Sequence, residues 1–312
     1  MNEAEALPIP SRKGFIQVID QGAWSSTGRR KAQEDTFVVT EIHDTRDRSM
    51  LFAGVMDGHL GMAASKLVQE VLPSKFSREL LQRAAGDGDS SAASLLQRAW
   101  DETCDDYRLA CGTDGDNCIA EYDALNGILL ANTASDEYAA GTTTCVVALE
   151  KKTSHLAILN CGDSRCLVID NEGKLVFKTT DHKPEREIER FTLGREQGLD
   201  YGIPECRMAR WYVPVGEYEY AVSRSLEGSF ATSKGIISTA DITTLQVTAG
   251  TIVTIASDGL WEVMDSKEVA KISFKLRWRQ GLSAGDAAKT LCSMALEKGS
   301  SDNVSVVILY LD

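Results

Sequence analysis

The sequence predicts a single mixed domain in which β-sheets are covered by helices. At 312 residues the chain is long enough to bury a sizeable core. Its 43 % apolar and 25 % charged residues are typical of a soluble globular protein. Runs with strand periodicity outnumber segments with helical periodicity, and neither a repeat nor a convincing linker divides them.

Seven short apolar runs are predicted to be strands. They are rich in Val, Ile, Leu, Thr and Phe, and turn-forming residues follow several of them. The run "MLFAGV" looks like a buried strand, and it ends on the aspartate of "DGH". The seven runs cover residues 36–42, 50–56, 143–150, 155–161, 166–170, 251–257 and 303–311.

Helical spacing or capping residues predict four helices. They lie over 62–83, over 93–109, after Asp265 and after Ser283. Pro73 is expected to bend or break the first helix, because proline removes a backbone donor. Asp286 gives the last helix a start that resembles a capping box. The Gly- and Asp-rich segments 84–92 and 110–118 are predicted loops.

Charge and the N-terminal residues exclude several functional classes. A net charge of −13 disfavours binding to nucleic acid or to an anionic membrane. The start "MNEAEALPIPSRKG" lacks the apolar core of a signal peptide, and Asn2 stands where myristoylation needs glycine. No apolar run approaches the roughly 20 residues of a spanning helix. We therefore expect no nucleic-acid partner, no membrane insertion and a cytoplasmic or nuclear location.

The eight cysteines are expected to be free, mostly packed thiols in a reducing compartment. Cys104, Cys111 and Cys118 are evenly spaced, but "GTDGD" interrupts any helix that would align them. The sequence contains no CxxC pair. We therefore do not expect a zinc site.

Five short acidic segments lie at strand boundaries. Any one of them is most simply an ordinary turn, because Asp, Gly, Asn and Ser are turn formers. Together they suggest sheet ends that converge on one cleft and present oxygen ligands there. The segments are Glu34-Asp35 before a strand, Asp57, Asp163 and Asp258 after strands, and Asp302 before the last strand.

A cluster of carboxylates favours Mg²⁺ or Mn²⁺ over zinc. Two such ions about 3.5–4 Å apart lower the pKa of a bridging water and clamp a phosphoryl group during in-line displacement. That chemistry also needs a cation for the phosphate and a proton donor for the leaving oxygen, and the sequence offers both residue types.

Eight motifs in one order carry a resemblance. They are "RKAQED", "DGH", "GTTT", "GDSR", "DHKP", "VSRSL", "SDGLWE" and "SDN", between about residues 28 and 306. In this order they resemble the metal-dependent serine/threonine protein phosphatases of type 2C (the PPM family). "DGH" alone is a weak signal, whereas the eight motifs in sequence are highly specific.

The resemblance implies an α+β fold. The expected architecture is a single-domain β-sandwich of two mainly antiparallel sheets flanked by helices, in α-β-β-α order. Residues 1–312 are expected to form this one domain, with an N-terminal extension over about 1–20 and a flap-like region over about 183–220. We expect a monomer that acts on phosphorylated proteins.

The same resemblance implies the cofactors and their ligands. Two Mg²⁺ or Mn²⁺ ions per subunit are expected, with a weaker third. The implied direct ligands are Asp57 to both ions, the Gly58 carbonyl, Asp258 and Asp302. The implied outer-shell or third-metal residues are Glu34, Asp35 and Asp163.

The resemblance also implies the catalytic groups. Asp57 bridges the two ions, and a water that also bridges them attacks the phosphorus directly, so no serine or cysteine nucleophile is needed. His59 matches the general acid that protonates the departing serine or threonine oxygen. Arg30 matches the residue that grips the phosphate. Its neighbour Arg29 is expected to point the other way, on a strand-like approach. The other histidines, His43, His155 and His182, are expected to be structural or on the surface.

The chain also departs from the family pattern. Leu60 stands where "DGHGG" has a glycine, and its side chain is expected either to narrow the cleft or to face away from it. Glu227 and Gly228 replace glycine and aspartate, and Glu262 replaces an aspartate, which puts the third metal in doubt. In the rearranged flap, the candidates for contact with a phosphopeptide are Arg207, Arg210 and Trp211.

Three functions follow from these residues. The first is an active Mg²⁺/Mn²⁺-dependent phosphatase for phosphoserine and phosphothreonine. The alternative is a weakly active or inactive member that serves as a phosphoprotein-binding regulatory module. A two-metal nuclease or a phosphatase of small metabolites fits the carboxylates but not the motif order, and the net charge disfavours a nuclease.

Overall fold

The computed structural model describes residues 16–44, 49–83, 91–111, 118–123, 127–132 and 140–312. The strands in chain order are β1 (Val18–Ser26), β2 (Thr36–His43), β3 (Ser49–His59), β4 (Cys118–Asp123), β5 (Gly127–Asn132), β6 (Gly141–Glu150), β7 (His155–Cys161), β8 (Arg165–Ile169), β9 (Leu175–Lys178), β10 (Glu205–Arg207), β11 (Arg210–Val215), β12 (Tyr218–Tyr220), β13 (Asp241–Gln246), β14 (Ile252–Ala256) and β15 (Val304–Leu311). The helices are α1 (Ala63–Arg83), α2 (Ala92–Ala110), α3 (Ile188–Glu196), α4 (Ser229–Ser233), α5 (Asp258–Trp261), α6 (Ser266–Trp278) and α7 (Ala284–Glu297), with a 3-10 turn at Pro184–Arg186.

Two five-stranded sheets form the centre of the fold. One has the order β1-β15-β14-β8-β9 and the other the order β13-β7-β6-β3-β2. Neighbouring strands in both sheets are antiparallel. β10, β11 and β12 form a separate three-stranded sheet, and β4 pairs with β5.

Strand β3 shows why both faces of these sheets are apolar. Leu51, Ala53 and Val55 point into the core between the two sheets. Met50 and Phe52 alternate with them and point into a second core beneath α1 and α2. Because both faces of the strand are buried, its sequence is continuously apolar, as in "MLFAGV".

The helices form the outer layers. α1 and α2 cover the sheet that contains β3, and α6 and α7 cover the sheet that contains β15. In β15, Val307, Leu309 and Leu311 face the other sheet, whereas residues alternating with them face α7. The order is therefore helix, sheet, sheet, helix. This confirms the predicted α+β sandwich.

All seven predicted strands and all four predicted helices are present. The predicted caps are confirmed: Asp265 accepts a hydrogen bond from the Lys267 amide, and Ser283 accepts one from the Asp286 amide. The predicted break at Pro73 is wrong, because α1 continues through it. Leu72 and Phe76, on either side of the proline, are fully buried, and this packing holds the helix together.

Sequence periodicity missed several elements, among them β1, β9, β13 and the strands of the flap-like region. β1 carries polar and small residues in "VIDQGAWSS" and is an edge strand with many partly exposed positions, so its apolar pattern is weak. It pairs with β15 from Val18 onward, so the sheet begins slightly before the expected end of the N-terminal extension.

The remaining expectations concern loops, thiols and the membrane. Residues 84–90 and 112–117 of the two predicted loops lie outside the described residues, as does the side chain of Cys118. The seven cysteines whose side chains are described are free, and six of them are buried; Cys206 is exposed. No helix in the described ranges is both long enough and apolar enough to cross a membrane.

Candidate active site

The predicted site residues converge at one end of the sandwich. They lie at the ends of β3, β7 and β14 and just before β2 and β15, so both sheets contribute. A cleft of about 300 Å³ opens there. Its lining includes eight of the nine predicted site residues: Arg30, Glu34, Asp57, Gly58, His59, Asp163, Asp258 and Asp302. The ninth, Asp35, is buried and donates no surface to the cleft.

The last three residues of β3 are Asp57, Gly58 and His59, and pairing with β6 fixes their register. Asp57 lies opposite Thr143, and His59 lies opposite Gly141. The Thr142 hydroxyl donates a hydrogen bond to the Asp57 carbonyl at 3.0 Å. Rigid strand pairing therefore sets where the "DGH" side chains enter the cleft.

Three carboxylates form the acidic centre of the cleft. Oxygen atoms of Asp57, Asp163 and Asp258 all lie within 4.8 Å of one another. Burial, followed by the negative charges of Asp258 and neighbouring carboxylates, raises the pKa of Asp57 well above its ordinary value. Burial and the charges of Asp163 and Glu262 do the same to the pKa of Asp258. These groups repel one another unless a cation lies between them.

Two acidic residues, Glu34 and Asp35, directly precede β2. The Glu34 carboxylate accepts a hydrogen bond from the Gly61 amide at 2.7 Å. The Asp35 carboxylate accepts one from the Ser257 hydroxyl at 2.8 Å, while its other oxygen, Oδ1, has no hydrogen-bond partner among the described residues. Burial raises the pKa of Asp35 to about 6, against the opposing effect of its serine contacts.

These donors fit hard divalent cations. The acidic centre offers oxygen atoms only, and the buried Asp35 Oδ1 is left for a further donor such as a metal-coordinated water. Oxygen ligands without imidazole or thiolate are those that Mg²⁺ and Mn²⁺ prefer. Asp163, which was predicted as an outer-shell or third-metal residue, has a carboxylate oxygen within 4.8 Å of oxygen atoms of Asp57 and Asp258.

Arg30 lines the cleft beside Asp302. Its guanidinium donates to Asp302 Oδ2 at 2.6 Å, and 56 % of the Arg30 side chain is exposed. Residues 28–32 form turns and bends, so the expected strand-like approach of Arg29 is wrong. Gly28 has φ +60°, and a Cβ there would lie 2.0 Å from the Asp302 carbonyl oxygen. Close packing of this turn on Asp302 therefore brings Arg30 to the cleft.

His59 contacts a residue to which the sequence assigned no role. Its Nε2 lies 2.7 Å from Glu227 Oε1. The Glu227 side chain is fully buried, whereas 29 % of the His59 side chain is exposed toward the cleft. Burial alone would lower the pKa of His59, but the Glu227 charge and hydrogen bond outweigh it and raise the pKa.

A comparison with known proteins agrees with this geometry. A family model described as protein phosphatase 2C matches residues 19–304. The chain belongs to this family. The match extends over most of the described fold and includes all nine predicted site residues, from Arg30 to Asp302.

Relatives in the protein phosphatase 2C family include two proteins of Oryza sativa subsp. japonica. "Probable protein phosphatase 2C 32" is 28 % identical over 286 residues, which is 91 % of this chain and 63 % of that protein. "Probable protein phosphatase 2C 6" is 30 % identical over 288 residues, covering 83 % of this chain and 55 % of that protein. The chain thus spans less than two thirds of the length of either relative.

A solved structure shares the fold. The serine-threonine phosphatase 2C from Toxoplasma gondii superposes with a TM-score of 0.72 at 20 % identity, covering 94 % of this chain and 95 % of the other. The type 2C resemblance predicted from the motifs is therefore confirmed.

Within this phosphatase 2C fold, the departures from the family pattern take definite positions. Leu60 lines the cleft with 39 % of its surface exposed and has φ 57°, a left-handed conformation that costs a non-glycine residue about 1 kcal/mol. Of the two expected orientations, it takes the one toward the cleft. Gly228 is the N-cap residue of α4.

Glu262 and Asp163, the two residues that the resemblance associates with a third metal, are paired with cations. Glu262 Oε1 lies 2.9 Å from the Arg210 guanidinium, and Asp163 Oδ2 accepts a hydrogen bond from Lys183. The pKa of Lys183 is raised because the Asp163 charge outweighs the effect of burial. Both cations lie beside the acidic centre, and they partly neutralise it.

The flap-like region places only part of its predicted residues at the cleft. Arg210 of β11 lines the cleft, together with Tyr218–Val222. Arg207 instead pairs with Glu205 and Glu219 on the exposed surface. Trp211 lies in a neighbouring groove that Arg210 also lines. Arg210 is thus the best placed of the three to meet a substrate.

The other histidines agree with their expected structural or surface roles. His43 and His155 are exposed. His182 is buried, accepts a hydrogen bond from the Gly162 amide at Nδ1 (3.0 Å) and contacts Asp241 at Nε2 (3.2 Å). It therefore holds the turn that precedes Asp163.

Proposed function

We propose that this chain is a Mg²⁺- or Mn²⁺-dependent serine/threonine protein phosphatase. The observation that carries the proposal is the convergence of Asp57, Asp163 and Asp258 in one cleft with Arg30 and His59 on its walls. Membership of the protein phosphatase 2C family supports it. The proposed substrates are phosphorylated proteins. We also propose that the protein is a monomer in the cytoplasm or nucleus and that residues 1–312 form one phosphatase domain.

The chain's own residues divide the work as follows. The proposed metal ligands are Asp57, the Gly58 carbonyl, Asp258 and Asp302, with Glu34, Asp35 and Asp163 as outer-shell or third-metal residues. Bound ions supply an activated water and neutralise charge on the phosphoryl group. Asp57 is central to the proposal because one of its carboxylate oxygen atoms lies within 4.8 Å of oxygen atoms of both Asp163 and Asp258.

Arg30 and His59 act on the substrate from the two sides. Arg30 is exposed enough to exchange its contact with Asp302 for two phosphate oxygens, and its planar guanidinium suits that geometry. His59 donates a proton to the serine or threonine oxygen as the P–O bond breaks. The Glu227 charge outweighs burial and raises the pKa of His59, which favours the protonated imidazole that an acid needs.

The test is hydrolysis of p-nitrophenyl phosphate and of a phosphothreonine peptide with Mn²⁺, with and without EDTA. Turnover that EDTA abolishes and added Mn²⁺ restores is the expected result. Asp57→Asn is the matched inactive control. Tight binding of the phosphopeptide without turnover in Mn²⁺ would favour the alternative, a phosphoprotein-binding module, and would remove the proposed activity.

A further inference from the structure

The Glu227 carboxylate occupies a site built around it. Ser225 donates a hydrogen bond to Oε1 at 2.5 Å, and the Tyr220 hydroxyl donates one to Oε2 at 3.3 Å. His59 Nε2 is the third partner, at 2.7 Å from Oε1. Burying a carboxylate is unfavourable unless donors surround it, and these three supply them.

Gly141 leaves the space in which His59 and Glu227 meet. A Cβ at this position would lie 2.2 Å from His59 Nε2 and 2.3 Å from Glu227 Oε1. Any larger residue would therefore separate the two side chains. The backbone of the first residue of β6 and the two side chains are packed as one unit.

The main chain fixes the distance between the two residues. Thr142 and Leu226 exchange backbone hydrogen bonds of 3.0 and 2.9 Å, directly before Glu227. His59 is held on the other side by its register with Gly141. Tyr220 of β12 closes the arrangement, since its ring meets the His59 ring edge-on at 5.4 Å. The carboxylate is thus placed against the imidazole by strand pairing rather than by a free side chain.

We propose that Glu227 is a positioning residue for His59: it holds the imidazole by Nε2 and leaves Nδ1 to face the leaving oxygen of the substrate. The inference rests on the proposed phosphatase function. When the P–O bond breaks, its electron pair stays on the serine or threonine oxygen, which takes the proton from Nδ1. The Nε2 proton remains in the hydrogen bond to Glu227, and the attacking water supplies the new oxygen of the phosphate.

The experiment compares a poor leaving group with a good one. Glu227→Leu removes the acceptor and keeps an apolar side chain of similar size, and Glu227→Gln keeps one acceptor oxygen. We expect Glu227→Leu to lower kcat on a phosphothreonine peptide by roughly tenfold or more, with less than about threefold loss on p-nitrophenyl phosphate, whose phenolate leaves without an acid. Glu227→Gln should retain more of the peptide activity, because its amide oxygen still accepts a hydrogen bond.

A double-mutant cycle separates positioning from structural support. In a His59→Gln background, Glu227→Leu should cause no further loss on the peptide, because the residue through which it acts is gone. Glu79→Leu is the matched control: Glu79 is a mostly buried glutamate paired with Arg98 at 2.6 Å, away from the cleft. It should leave the ratio of the two activities unchanged.

The outcomes distinguish this inference from the proposed function. Equal losses on the two substrates, or losses that add to those of His59→Gln, would overturn the positioning role and leave the phosphatase in place. If the wild-type protein hydrolyses neither substrate with Mn²⁺, both the positioning role of Glu227 and the proposed phosphatase function are wrong. If Glu227→Leu does not fold, Glu227→Gln and Tyr220→Phe replace it in the test. Tyr220→Phe keeps the ring and removes the hydroxyl that donates to Glu227 Oε2.

Discussion

The acidic centre and the Glu227 site are two neighbouring sites, joined by Asp57 and His59 at the end of β3, and they treat a carboxylate in opposite ways. In the acidic centre, the Asp57 carboxylate accepts a long hydrogen bond from the Asp258 amide at 3.4 Å, and burial, followed by the surrounding carboxylates, raises the pKa of Asp57. Glu227, in contrast, is fully buried and receives donors from Ser225, Tyr220 and His59.

The difference indicates how the negative charge of each site is compensated. A buried charge with its donors in place is already compensated and holds its neighbours in position. In the acidic centre, Lys183 and Arg210 compensate only part of the negative charge, so a cation from outside would still stabilise the facing carboxylates. The first arrangement suits the orientation of a side chain, and the second suits the binding of a metal ion. Removing a charged side chain should therefore have different consequences in the acidic centre and at the Glu227 site.

The largest effect is expected in the acidic centre. Asp57→Asn and Asp258→Asn should each lower kcat by roughly 10⁴-fold, because loss of metal ligation removes several kcal/mol of transition-state stabilisation. The measurement is steady-state kinetics on a phosphopeptide with Mn²⁺, together with a calorimetric Mn²⁺ titration and a circular-dichroism check of the fold. Either variant retaining more than about a tenth of the wild-type kcat would contradict the two-metal assignment.

The next effect tests the acid on the Glu227 side. His59→Gln should lower kcat on a phosphopeptide by roughly 10²–10⁴-fold, because the alkoxide is a poor leaving group. The loss on p-nitrophenyl phosphate should be much smaller. Mn²⁺ affinity, measured by calorimetry, should stay close to that of the wild type. Equal losses on both substrates would exclude His59 as the general acid. The acidic centre and the Glu227 site would then no longer differ in function as proposed.

A smaller effect is expected for Arg30, the proposed phosphate-binding residue. Arg30→Ala should lower kcat/KM by roughly 10- to 150-fold, since a charge-assisted contact contributes about 1.5–3 kcal/mol. It should also weaken inhibition by inorganic phosphate and change Mn²⁺ affinity little. A phosphate-inhibition series alongside a Mn²⁺ titration measures both properties.

Arg29→Ala is the control for that arginine. Arg29 lies next to Arg30 in the same turn, but it does not line the cleft. It should therefore have little effect on either property. A larger loss from Arg29→Ala would mean that the other arginine of the turn reaches the phosphate. Loss of Mn²⁺ rather than phosphate affinity in Arg30→Ala would assign Arg30 to holding Asp302.

The smallest effect concerns stability without metal. Asp35, Asp57 and Asp258 have pKa values raised above those of the unfolded chain, that of Asp35 to about 6. Such groups stabilise the fold at low pH, and the contribution is lost as pH rises through the folded-state pKa. In EDTA, the free energy of unfolding should fall by on the order of 2 kcal/mol between about pH 5 and about pH 7.5.

Denaturant unfolding at the two pH values measures this difference. Asp57→Asn should reduce the difference in the free energy of unfolding between the two pH values, because one of the repelling charges is absent. Mn²⁺ should also reduce this difference, because it neutralises the carboxylates. Metal-free protein that is more stable at about pH 7.5 than at about pH 5 would contradict the proposed repulsion.

Much of the fold and the site follows from the sequence alone. The seven predicted strands are visible because burial on one or both faces produces local patterns, as in "MLFAGV", and turn formers mark their ends. The acidic residues at those ends predict a shared cleft, and the ordered motifs predict the family. Weak patterns set the limit: β1 was missed because an edge strand buries few of its residues, and the break at Pro73 was wrong because packing outweighs propensity.

Only the tertiary structure decided which residues meet. Asp163 joins Asp57 and Asp258 because turns from both sheets meet at the same end of the sandwich. Glu227 reaches His59 across 168 residues of chain, through the Thr142–Leu226 bridge and the space left by Gly141. In the sequence, Glu227 is only an acidic residue in place of a glycine. Its partner is set by long-range strand pairing, which no local pattern of residues records.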